Sequence, residues 1–464
     1  MNTRTIIEYI LAALIVLMLG GLSGWYFFLR TQSQTSLSQD EARGYGVEAP
    51  LGDAGGNASQ LLSPAPESSP APTNVGFLSR VWNVLTGESA IVPALSTSGS
   101  FGGDFGKLLG TDTSVQARTS TAPPPKNRPP QLWHVVSAPV AGIAFSKNSA
   151  RPVLRYVERS NGYVFEADPE TGTVIRMTNT LMPKIYEALV MGSGHVYERS
   201  IDGSGDIATF AGSIQVASST GGGARDAVSP LSGVMLAKNI LSLVVNPKSG
   251  ELFYLTRNEA GTAGFRAQWN GEKPKQVFSS PIVHWRPLWL SDGRIILTQA
   301  AADSVSGYSY ELKGDGTLVP LLRIIPGLTI LPRASSSALV WGRSEDGALT
   351  LFTRLSANTS AVEVPLRTIA DKCVWSLGTT AVVYCAAPQG VVSRDFLDEW
   401  YRGAAHSSDA IWRIDVSAGS SELVYTPDAG APVDVMDPII DGSGNYISFI
   451  NATDRSLWLL RLAP

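Results

Sequence analysis

Charge and cysteine are both scarce in this 464-residue chain. Asp, Glu, Lys and Arg make up 16% of it, against about 25% in ordinary soluble domains. The net charge is −4, and Lys and Arg form no cluster. The sequence therefore gives no extended electrostatic footprint for nucleic acid or for an anionic membrane surface. Two cysteines exclude a disulfide-dense mini-fold and a CxxC site. The four histidines, His134, His195, His284 and His406, are far apart and form no HExxH motif. No metal-ligand set is therefore legible. The strand-rich part also lacks a GxSxG elbow, a P-loop and a GxGxxG fingerprint. The sequence names no catalytic, cofactor-binding or metal-binding residue; a cofactor is not expected, and a non-catalytic role is favoured.

Long apolar runs are almost missing too, with one exception. Tyr9 to Leu29 carries no charge over about the ~20 residues that cross a bilayer. The run exceeds the ~7–15 residues of a signal-peptide core, and no small-x-small cleavage site precedes the aromatic cluster Trp25–Phe28. Such rings suit a membrane–water interface. Residues 1–30 thus read as a cytoplasmic stub and a single uncleaved transmembrane anchor. Basic residues flank the run on both sides, so the orientation is argued from elsewhere. A linker poor in Lys and Arg, and two cysteines placed to pair, favour a C-terminal domain outside the cytoplasm.

Residues 31–130 are rich in Ser, Pro and Gly, with segments such as SPAPESSPAPT. They cannot bury enough apolar surface to offset the entropy of ordering, and read as a disordered tether. One island, near 76–86, places Phe77, Leu78, Val81, Trp82 and Leu85 on one helical face. It reads as a recognition or membrane-surface helix, or as a helix that forms only transiently.

From Gln131 to Pro464 the pattern changes. Short apolar strands alternate with Gly, Asp, Asn and Ser turns. The stretch WRPLWL–SDG–RIILTQ, then YSYELK–GDG–TLVPLLR, is four strands joined by hairpins, the size of one propeller blade. The order recurs before and after it, giving an all-β chain of seven blades, or six if the unit starting at IYEALV is irregular. The last unit is one strand short. Gln131–Val136 (QLWHVV) is unassigned and is placed to complete it by pairing with Ser456–Arg461.

Within this repeat, Arg286–Thr298 (RPLWLSDGRIILT) resembles the P-x-W-S-P-D-G-[KR]-I unit of TolB-like propellers, a WD40-like repeat class. Leu290 and Ser291 stand where that family prefers Ser and Pro, and DPIIDGSGNYISF matches more faintly. The chain also resembles membrane-anchored propellers of bacterial envelopes. The resemblance implies the fold, the compartment and a partner-binding role, and carries no catalytic residues.

Three features are candidate sites. Cys373 and Cys385 bracket VWSLGTTAVVY, a hairpin whose turn falls midway between them. They would stand opposite each other, either joined by a disulfide or as two small buried side chains. Asp202–Asp206 and Asp441–Asn445 space oxygens as calcium loops do, but lack a closing Glu, and tight hairpins favour the same residues. The longest insertion, Pro388–Asp409, carries Asp395, Phe396, Asp398, Glu399, Trp400, Tyr401 and His406, with the apolar residues at helical spacing and Gly403 placed to end the turn. It is either part of a binding face or a helix that plugs one end of the ring. The overall expectation is a single-pass membrane protein whose propeller binds or scaffolds a protein, peptide or glycan outside the membrane. A carbohydrate-active hydrolase or lyase at the channel mouth is the alternative, and a structural envelope component a third. The oligomeric state is open.

Overall fold

The structure is a computed structural model, and it describes residues 128–146, 151–214, 228–428 and 430–462. The expected span Tyr9–Leu29, the linker to residue 127 and its Phe77–Leu85 helix lie outside them. Among the described residues no helix is long and apolar enough to cross a membrane.

Among the described residues, twenty-eight strands form seven four-stranded antiparallel sheets. Six sheets use four consecutive strands each. The seventh is made of Val435–Ile440, Tyr446–Asn451 and Leu457–Arg461, followed by Leu132–Val136 from the start of the domain. Leu132 stands opposite Leu460, Trp133 opposite Leu459 and His134 opposite Trp458. The His134 and Trp458 rings stack at 4.4 Å and 10°. The first strands of the seventh and first sheets are in contact, so the ring closes. The arrangement is a seven-bladed β-propeller. Six blades are excluded because the second unit is complete: its outer strand, Leu231–Met235, pairs with Ile207–Ile214.

The seven main core clusters are walls between neighbouring blades. Strand periodicity builds them, because alternate residues point to opposite faces. In Leu252–Asn258, Leu252 and Tyr254 join the wall toward blade 2, while Phe253 and Leu255 join the wall toward blade 4. Second strands such as Ile295–Gln299 and Val382–Pro388 therefore read as mainly apolar runs, as expected when both faces are covered. Near the axis the blades approach closely. A Cβ at Gly142 would lie 1.8 Å from the Ala188 carbonyl oxygen, so only glycine fits there.

One wall holds a carboxyl group with no partner among the described residues. Glu198, in His195–Ile201, is 1% exposed and stands opposite Ala188 and Phe210, both in the wall between blades 1 and 2. Neither of its carboxyl oxygens has a hydrogen-bond partner among the described residues. Burial pushes its pKa up to about 8. The folded state therefore holds a proton that the unfolded chain releases near the ordinary value of 4.5. Stability from this group is full below that value and is lost as pH rises toward about 8. Glu198→Gln, neutral at every pH, should match wild type near pH 4.5 and exceed it by pH 8. The expected difference is of the order of 4 kcal/mol at most, read from denaturant titrations at several pH values. A difference that stays constant with pH would contradict the assignment.

Candidate functional site

The connections between blades, and the hairpins joining second to third strands, all lie on one face of the ring, the entry face. The Pro388–Asp409 insertion is the second-to-third connection of blade 6 and so belongs to it. Its middle forms one helix, Phe396–Tyr401, which buries Phe396, Leu397 and Trp400. These pack with Leu349 and Ile369, and with Ala301 of blade 4 and Met436 of blade 7. Gly403, at φ 71°, follows the helix end.

Polar contacts pin the helix to the same blades. Asp398 accepts a hydrogen bond from the Asp303 backbone at 2.9 Å. The Tyr401 hydroxyl donates to Asp371 at 2.6 Å and accepts from Arg286 at 3.1 Å, and Arg286 also pairs with Asp371. Glu399 accepts from Ser393 at 3.0 Å within the insertion. A side chain at Gly347, which has φ 77°, would lie 2.4 Å from the Arg394 carbonyl oxygen. Asp395 is exposed.

Beneath the helix lies a buried ion cluster. The side chains of Lys372, Asp409 and Asp434 are fully buried. Lys372 Nζ reaches Asp409 Oδ2 at 2.7 Å, Asp434 Oδ1 at 2.5 Å and Ser407 Oγ at 2.8 Å. Asp434 also accepts from Trp400 Nε1 at 2.9 Å and from His406 Nδ1 at 3.1 Å. Asp409 accepts from the Val435 backbone at 2.8 Å and from Ser407 at 2.8 Å. The two carboxyls diverge. Burial drives Asp409 upward and outweighs its pairing with Lys372. Burial also acts on Asp434, but Lys372 and the Trp400 and His406 hydrogen bonds override it and hold the carboxyl below its ordinary value. Chemically the cluster saturates itself: its ammonium has three oxygen partners and no open side. It ties blade 6, blade 7 and the insertion helix together.

The structure separates the carboxylates that are close in sequence. Asp395, Asp398, Glu399 and Asp409 lie on the entry face, whereas Asp415 ends the third strand of blade 6 at the opposite one. Of the insertion candidates, Trp400 and His406 meet in the ion cluster, while Tyr401 and Asp398 reach other blades. Lys372, Asp434, Arg286 and Asp371 escape sequence reasoning. The available signal is charge set in an apolar run, Asp371–Lys372 in IADKCVW and Asp434 in PVDVM, because a charge buried that way must be paired. Its partner is not readable.

Cys373 and Cys385 stand opposite each other and form a disulfide, with Cα atoms 4.0 Å apart, in the wall between blades 5 and 6. The acidic turns are self-satisfied. Lys238 Nζ lies 2.9 Å from both Asp202 and Asp206 and fills the position between their carboxylates. Asp441 accepts from the backbones of Ser443, Asn445 and Tyr446. Among the described residues no group of three potential metal ligands is found. His134 and His195 stack on Trp458 and Trp269.

The fold is a seven-bladed β-propeller. No protein-family model matches the chain, and no curated protein does. Solved structures with a similar outline include virginiamycin B lyase from Staphylococcus aureus, at TM-score 0.42 and 11% identity over 70% of this chain and 96% of that one. The propeller domain of the Trilobed protease from Pyrococcus furiosus gives 0.43 and 10%, over 70% and 98%. The Pan2 WD40 domain from Neurospora crassa gives 0.42 and 12%, over 71% and 90%. The blade count rests on the sheet order, and no activity is carried over from these proteins.

If the ion cluster holds the insertion, removing its cation should be costly. Lys372→Met leaves two buried carboxyls facing each other and should lower stability by about 3–5 kcal/mol. Adding Asp409→Asn should recover part of that loss. Denaturant unfolding measures both, and a loss below about 1 kcal/mol would contradict the role.

Proposed function

We propose that this chain is a membrane-tethered, TolB-like propeller of the cell envelope that binds or scaffolds a partner outside the membrane through its entry face. The partner is a protein, peptide or glycan. The observation that carries the reading is the pinned insertion. Helix Phe396–Tyr401 is held by contacts with blades 4, 5 and 7, while Val391, Arg394 and Asp395 stay exposed beside it. A loop fixed this way loses little conformational entropy on binding. Loops on rigid scaffolds are where recognition residues concentrate.

The tethering part rests on the uncharged Tyr9–Leu29 run. The exported location is supported by the Cys373–Cys385 bond, since disulfides persist in oxidising compartments. A hydrolase or lyase is the weaker reading, because paired-carboxylate chemistry needs two carboxyls free to flank a substrate bond. Asp409 and Asp434 are both bound to Lys372.

Photocrosslinking in the native membrane tests this. A crosslinker at position 395 should capture one reproducible partner, and Val391→Asp should abolish the capture. A crosslinker at Leu377, exposed on the opposite face, should capture none. On the same membranes, alkylation under denaturing conditions should find no free thiol. Capture from position 377 alone would overturn the assigned face, and two free thiols would overturn export.

A further inference from the structure

The opposite face carries a feature that the binding reading does not use. A cleft of about 270 Å³ lies where the closing strand, blade 7 and blade 1 meet. Three arginines line it, Arg128, Arg151 and Arg461, with Glu170 as the one carboxylate among the lining residues. Asn445 adds its side-chain amide, whereas the Ser443 hydroxyl and backbone N–H already donate to Asp441.

These residues come from distant parts of the chain. Arg128 precedes the closing strand, and Arg461 ends the strand that it pairs with. Arg151 and Glu170 lie in two separate hairpins of blade 1, whereas Ser443 and Asn445 belong to a hairpin of blade 7. Ring closure is what assembles the cleft.

The charge balance gives the cleft its chemistry. In a chain of net charge −4, the lining groups carry a surplus of two positive charges. Arg461 donates to the Pro129 carbonyl oxygen at 3.2 Å, which holds its guanidinium at the wall. Arg151 lies 3.7 Å from Glu170, at the outer limit of an ion pair, and both side chains are substantially exposed. Burial and the neighbouring Arg128 charge hold Arg461 below its ordinary pKa, as expected where positive charge outnumbers its counter-charge. Guanidiniums that line one cleft are a common host for an oxyanion, since each fork presents parallel N–H donors to two oxygens.

We infer that this cleft binds a phosphate-type oxyanion, either a soluble phosphorylated ligand or the headgroup of an anionic phospholipid. Its walls belong to the first and last segments of the domain, so an anion seated there bridges the ring closure and stabilises the fold. The inference stands on this geometry and does not depend on the role of the entry face.

The test uses the full chain in a phosphate-free buffer, with thermal unfolding and isothermal titration calorimetry as readouts. Inorganic pyrophosphate probes the soluble source. Short-chain phosphatidylglycerol below its micelle concentration probes the lipid source, with the phosphatidylcholine analogue as control. One or both anionic probes should bind and raise the midpoint, and chloride at the same ionic strength should not. The double variant R128Q/R151Q changes two exposed side chains and should keep the wild-type midpoint without ligand. It should bind roughly a hundredfold more weakly, about tenfold for each charged hydrogen-bonding group removed. Binding of pyrophosphate alone assigns a soluble phosphate; an equal or larger response to phosphatidylglycerol assigns the headgroup. No response to either probe, or an equal response in R128Q/R151Q, would overturn the inference.

Discussion

Everything in this domain depends on one strand pairing, that of Leu132–Val136 with Leu457–Arg461. A ring of sheets has no free wall only if the last blade is complete and abuts the first. Without the closing strand, blade 7 would present an unpaired edge, a template for unwanted pairing. Its wall with blade 1, which includes Trp133, Val135 and Val136, would open to water. The other six walls are shared in the same way, so a gap at this joint leaves blades 7 and 1 each with one uncovered face. The pairing links residues more than 300 positions apart, and such a contact forms only after a large loop-closure entropy has been overcome.

On the entry face the same logic recurs at a smaller scale. The insertion helix has only six residues, too short to persist alone. It is ordered because its apolar face is covered and because Lys372, Asp409 and Asp434 lock its surroundings. Burying those three charges costs desolvation energy that a hydrophobic cluster would not. What the charges add is directionality: each hydrogen bond fixes a particular blade against a particular residue of the insertion. The polar groups of the cluster are already satisfied by one another and by Trp400 and His406.

Much of the fold is legible from alternation and turn residues. The seven units, the closing strand and the opposed cysteines all follow from spacing, because a strand's side-chain period of two is rigid. The insertion helix is legible from Phe396, Leu397, Trp400 and Tyr401, while whether it covers the ring or stands free depends on neighbours that spacing cannot supply. The ion cluster is not legible. Lys372, Asp409 and Asp434 come from two inter-blade connections and a strand start, and only blade packing brings them together. The arginine cleft is hidden for the same reason, since Arg128 and Arg461 become neighbours only through closure. Glu198 is different again: the sequence places it on a strand, yet cannot say that its side of that strand faces a dry wall.

Native-state hydrogen exchange at the closing strand tests the central claim most directly. If the Leu132–Val136 pairing holds the ring, its hydrogen-bonded amides exchange only through global unfolding. They then show the same opening free energy as the amides of Tyr446–Asn451 in the middle of blade 7. Exchange of the closing strand through local fraying, at a free energy several kcal/mol lower, while blade 7 stays protected, would show that the propeller does not depend on this closure.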